Sequence, residues 1–93
     1  MKIIQSRIFE RKVKKFSKSQ KAQLDEFIRE ILRNPSIGEQ KKGDLNMVFV
    51  YKFRIDNTLF LLAYAYNSEV LELIMLGPHE NYYKDLKNYL KDK

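Results

Sequence analysis

The feature that most constrains this chain is a change of hydrophobic period near residue 47. Before it, apolar residues recur three or four apart; after it, they recur at every second position. Phe9, Val13 and Phe16 sit at helical spacing and predict a short first amphipathic helix, preceded by a short strand over residues 2 to 5. Ser17 with Gln20 three residues later makes a capping box, and Leu24, Phe27, Ile28, Ile31 and Leu32 then trace the apolar stripe of a second helix. Pro35 disfavours helical backbone at Asn34, which ends that helix and opens a connecting loop to Gly43.

From Met47 onward, Met47, Phe49, Tyr51, Phe53 and Ile55 fall on one side of a strand, with Val48, Val50, Lys52 and Arg54 on the other. Asp56-Asn57 suits a tight turn, because short polar side chains tolerate positive φ. A second strand follows over Thr58 to Tyr66, then a turn at Asn67-Ser68 and a third strand over Glu69 to Leu76, stopped by Gly77-Pro78. Tyr82, Leu86, Tyr89 and Leu90 give a last amphipathic helix to about Lys91. The sum is an α+β fold in which an N-terminal strand and a helical hairpin pack on a four-stranded antiparallel sheet, with a short C-terminal helix. At 93 residues, the whole chain is expected to be a single domain.

The net charge of +6 is concentrated at one end. Residues 1 to 21 carry eight Lys and Arg against Glu10 alone, a local charge of +7, so the rest sums to −1. Arg11, Lys12, Lys14, Lys15 and Lys18 on the helical hairpin, with Lys41 and Lys42 before the sheet, are the candidate polyanion-binding residues. A solvated helix surface would carry the same charges, so composition leaves both readings open. There is no cysteine, which removes disulfides, thiolate metal sites and thiol nucleophiles together. With one histidine, a dedicated metal site is not expected, and the nucleotide-loop, zincin and serine-hydrolase motifs are missing. No cofactor is expected. No run approaches eighteen apolar residues, and the charged N-terminus does not read as a signal peptide, so the expected location is the cytoplasm, away from membranes.

Two constellations can carry chemistry. Lys52 and Arg54, two apart in a strand, project from the face opposite its aromatic side, expected to be uncovered, where they could hold a phosphate and offset the charge of a pentavalent transition state. The solvent side of any half-buried sheet shows the same alternation. Gly77-Pro78-His79-Glu80-Asn81-Tyr82-Tyr83 sets the sole histidine at a strand exit, beside phenols that could donate to a phosphate or stack on a base. Alternatively, His79 or Glu80 merely starts the helix and a tyrosine packs in the core. Asp25 and Glu26, adjacent on the second helix, look like ordinary surface charge.

The element order, the segment GDLNMVFVYKFRI at 43–55 and the segment LGPHENYYKDLKNYL at 76–90 resemble the RelE/ParE superfamily of type II toxin–antitoxin toxins. The resemblance implies a RelE-like fold and a cognate antitoxin. Its ribonuclease branch binds the ribosomal A site and cuts mRNA without metal, whereas its ParE branch poisons DNA gyrase. By that resemblance, Lys52 and Arg54 match the two strand cations, His79 takes the place of a transition-state arginine, and Tyr83 matches the tyrosine that orients RNA. Leu61 stands where an arginine is expected. The preferred reading is a ribosome-dependent mRNA endonuclease with Lys52, Arg54, His79 and Tyr83 catalytic and Tyr82 among the RNA contacts. A gyrase inhibitor, or a weakened toxin that keeps antitoxin binding and meets operator DNA only through that partner, are the alternatives.

Overall fold

The computed structural model describes residues 1–41 and 47–91. Strand β1 (Lys2–Gln5) leads into helices α1 (Arg7–Lys14) and α2 (Lys18–Arg33), then a 3-10 turn at Pro35–Ile37 and a two-residue strand β2 (Glu39–Gln40). Strands β3 (Phe49–Ile55), β4 (Thr58–Tyr66) and β5 (Val70–Pro78) form the meander, and α3 (Tyr82–Lys91) closes the chain. The class is the α+β arrangement expected, but among the described residues the sheet has five strands and is mixed, in the order β1-β5-β4-β3-β2. β1 runs parallel to β5, because two helices carry the chain back before the meander begins, and the expected loop contains β2, antiparallel to β3.

Helices α1 and α2 both start on a side-chain cap. Ser17 and Gln20 form the reciprocal box, at 3.1 Å and 2.8 Å. Ser6 caps α1 by accepting from the Phe9 amide, and its hydroxyl also donates to the Ile74 carbonyl at 2.5 Å. Asp56 and Asn57 both adopt positive φ, 50° and 70°, as a tight two-residue hairpin requires.

Each face of the sheet has its own core. α1 and α2 lay Phe9, Leu24 and Ile31 on Phe53, Ile55, Leu62, Tyr64 and Leu71, and Phe27 stacks on Phe53 at 4.4 Å between centroids. On the other face α3 packs Tyr82 and Leu86 on Val48, Val50, Leu61, Ala63, Ile74 and Met75. The face expected to be uncovered is therefore covered over part of its area, while Lys52 and Arg54 towards its hairpin end stay exposed.

A bulge in β5 makes this two-sided arrangement possible. The register steps from Ala63↔Met75 to Tyr64↔Leu73, so Ile74 is the extra residue. Consecutive Ile74 and Met75 consequently both join the α3 core, and Leu73 and Leu76 both join the α1/α2 core. β5 then continues through Gly77 and Pro78, past the stop expected after Leu76, with Tyr82 packed 3.5 Å from where a Gly77 Cβ would lie. Among the described residues, no helix is long and apolar enough to cross a membrane.

Candidate functional site

Strand register places the candidate residues in two rows. Lys52 opposes Leu61, which opposes Gly77; Arg54 opposes Leu59, and the next position beyond the Phe60↔Pro78 pair brings the chain to His79. Lys52 and Gly77 are thus two strand spacings apart, about 10 Å. Leu61 between them is fully buried beneath α3. Lys52 is exposed, and Arg54 turns back to its hairpin, donating to the Asn57 carbonyl at 3.1 Å.

His79 is exposed, and its ring meets the edge of Tyr83, with centroids 6.4 Å apart and planes at 85°. Tyr83 is half-buried, and its hydroxyl is buried with no hydrogen-bond partner among the described residues. Lys41 lies over the Tyr83 ring, with Nζ 4.8 Å from the centroid. The same ammonium donates to the Glu39 carboxylate at 2.5 Å. That bond raises the Lys41 pKa, against burial, and holds the Glu39 carboxyl below its usual value, with Lys52 adding a smaller lowering.

Tyr82 differs from its neighbour. It is 3% exposed and donates to the Met75 carbonyl at 2.7 Å, so the ring expected to contact RNA is a member of the core. Burial pushes its pKa far up. Arg11, Lys14, Lys15 and Lys18 are exposed on the helical hairpin and Lys12 is half-buried. Arg11, Lys12 and Lys15 line a cleft of about 500 Å³ whose other wall includes Glu80 and Asp85. Lys42 lies outside the described residues.

The structure thus brings His79, Tyr83 and Lys41 together at one end of the α3 face, with Glu39 linking them towards Lys52. Glu39 was missed from sequence, although the acid–base alternation of Glu39 and Lys41 beside a strand was a usable signal.

Residues 3–87 match the family of ParE-like toxins of type II bacterial toxin–antitoxin systems. The chain belongs to this family. The toxin's fold is also similar to that of E. coli RelE. In the intact E. coli RelBE toxin–antitoxin complex the match has a TM-score of 0.67 at 21% identity, covering 85% of this chain and 96% of that one. For a free-state E. coli RelE with two arginine-to-alanine substitutions it is 0.73 at 19%, covering 98% and 95%. For isolated E. coli RelE it is 0.63 at 20%, covering 94% and 96%. Among curated proteins no sequence relative matches.

Proposed function

We propose that the toxin is a ribosome-dependent, metal-independent mRNA endonuclease acting in the cytoplasm. The observation that carries this reading is that Lys41, on the same sheet face as exposed Lys52, lies over the Tyr83 ring, and that the His79 ring meets that same tyrosine. The RNA 2′-oxygen would attack the adjacent phosphorus as its proton leaves, the bond to the 5′-oxygen would break, and that oxygen would gain a proton. The products are a 2′,3′-cyclic phosphate and a free 5′-hydroxyl. Lys52 and Arg54 hold and neutralise the phosphate, His79 gives or takes a proton, and Tyr83 orients the RNA. Arg54 must leave the Asn57 carbonyl to do so, an exposed hydrogen bond that solvent replaces easily. The hairpin cations rest on ribosomal RNA.

A cognate antitoxin is the expected protein partner, with operator DNA reached only through it. The β1 edge supports this reading: all four of its residues are exposed, and Ile3 and Ile4 remain 40% and 42% accessible on a strand with one free side.

Buried Leu61 favours a second reading, inhibition of gyrase, because the site lacks the arginine that the resemblance assigns there. One experiment separates the two. Purified toxin is added to ribosomes translating a defined mRNA with primer extension as the readout, and in parallel to a gyrase supercoiling assay. Cleaved mRNA that disappears in Lys52→Ala and His79→Ala supports the nuclease. Intact mRNA with supercoiling inhibited, and toxicity retained in both variants, replaces it with the gyrase reading.

A further inference from the structure

Glu39, Lys41 and Lys52 share one face across the β2–β3 edge. Glu39 pairs with Val50, so it points to the same side as Lys52 two residues further along β3, and the Lys41 amide donates to the Val48 carbonyl at 2.8 Å, continuing that register. The Glu39 carboxylate is held by Lys41 and faces the field of Lys52. Lys41 is also not a loose surface lysine. Its side chain is 21% exposed, fixed between the carboxylate and the Tyr83 ring, whereas the Glu39 side chain is 68% exposed and free to swing away.

We propose that Lys41 and Lys52 form a subsite for an RNA phosphodiester, and that the Glu39 carboxylate is an internal stand-in for that phosphate, displaced when RNA binds. This rests on the nuclease reading and deepens it by adding a phosphate position and a brake. The chemistry matches at each point. A carboxylate and a phosphodiester both offer two anionic oxygens to an ammonium. The displaced group carries one charge and leaves into water, while the incoming strand adds contacts on Tyr83 that Glu39 lacks. A carboxylate bonded to Lys41 and lying in the field of Lys52 also lessens the repulsion between the two cations in the empty state. The Tyr83 hydroxyl, buried with no hydrogen-bond partner among the described residues, is already desolvated before any ligand arrives.

The test uses the full chain and a short 2′-O-methyl oligoribonucleotide, which binds but cannot be cut. Affinity is measured by fluorescence anisotropy for the wild type, Glu39→Gln, Lys41→Met, the double variant, and Glu26→Gln. The last removes the same charge from an ion pair with Arg29 on α2 and controls for net charge. Glu39→Gln should bind about twofold to fivefold tighter, the scale of one exposed ion pair released. Lys41→Met, which keeps the apolar stem, should bind more weakly and remove most of the Glu39→Gln gain in the double variant, with melting temperatures unchanged. A gain no larger than that of Glu26→Gln, or one undiminished by Lys41→Met, overturns the proposal. So does an oligonucleotide that binds none of the variants while ribosome-stimulated cleavage is unaffected by Glu39→Gln. Failure of the nuclease reading shows separately, as absence of cleaved mRNA from the wild type on ribosomes.

Discussion

The Tyr64 hydroxyl accepts a hydrogen bond from the Gly38 amide at 3.0 Å and donates to the Pro35 carbonyl at 2.6 Å. One phenol near the C-terminal end of β4 thereby fixes the turn that delivers β2, and with it Glu39 and Lys41, to the sheet edge. The contact is close enough that a Cβ on Gly38 would lie 2.8 Å from the Tyr64 oxygen. Tyr64→Phe should lower stability by about 1 to 3 kcal/mol, since it strands an amide and a carbonyl in a part-buried site. Gly38→Ala should disturb the same turn by steric contact. Chemical denaturation measures the first, and the Lys41 and Tyr83 signals in an NMR spectrum report displacement of β2 in both.

Alkaline pH should unfold the toxin earlier than its surface charge suggests. Burial, then the bond donated to Glu30 at 2.6 Å, pushes Tyr51 up to about 12, and burial also raises Tyr64 and Tyr82. The native state therefore keeps phenolic protons that the unfolded chain loses from about pH 10, so fewer protons are bound on unfolding and stability falls as pH rises. The contribution is whole below pH 10 and is lost as pH climbs through about 12. Melting temperatures measured from pH 8 to 11.5 should decline above about pH 10, with a shallower slope there in Tyr51→Phe.

Restoring the arginine that the resemblance assigns to position 61 should harm the protein. Leu61 has no exposure and touches the α3 core, so Leu61→Arg places a charge without a partner in apolar surroundings, at about 3 to 5 kcal/mol. Leu61→Ala should cost about 2 to 5 kcal/mol through the cavity alone. Leu59 is half-buried opposite Arg54, and Leu59→Arg should fold normally. Denaturation midpoints that rank Leu61→Arg above Leu59→Arg would contradict this.

Replacing Lys12, Lys14, Lys15 and Lys18 by Gln should weaken sedimentation with ribosomes and flatten its salt dependence. Stability should change little, because these side chains are exposed or only half-buried and make few folded-state contacts. Equal ribosome binding by wild type and variant at every salt concentration would leave the basic hairpin with solubility alone.

Local chemistry made much of the fold legible. Ser17-Gln20, Pro35 and Asp56-Asn57 act within a few residues and mark their elements directly. The bulge at Ile74 was not legible, because whether β5 keeps strict alternation depends on α3 and α1 packing from opposite sides. β2 was hidden for a related reason: two residues carry no period, and they become a strand only because Tyr64 holds the preceding turn. At the candidate site, parity alone placed Lys52 and Arg54 on one face, and the Tyr83–His79 contact follows from four-residue helical and turn spacing. Tyr82 and Tyr83 could not be told apart from sequence. Adjacent phenols at a helix start point in different directions, and only the seat over Gly77 decides which is buried.

The parallel pairing of β1 with β5 has a consequence for how the protein comes into being. Lys2 pairs with Val70, Gln5 with Leu73, and the Ser6 hydroxyl finds its acceptor sixty-eight residues downstream. During synthesis the first strand thus has no partner until most of the chain has emerged, and closing so long a loop is slow compared with forming the local hairpins. The basic helices can form early, but they stay untethered until β5 arrives. Any partner that reads the finished β1 edge must wait for that closure, so the order of events is folding first and capture second.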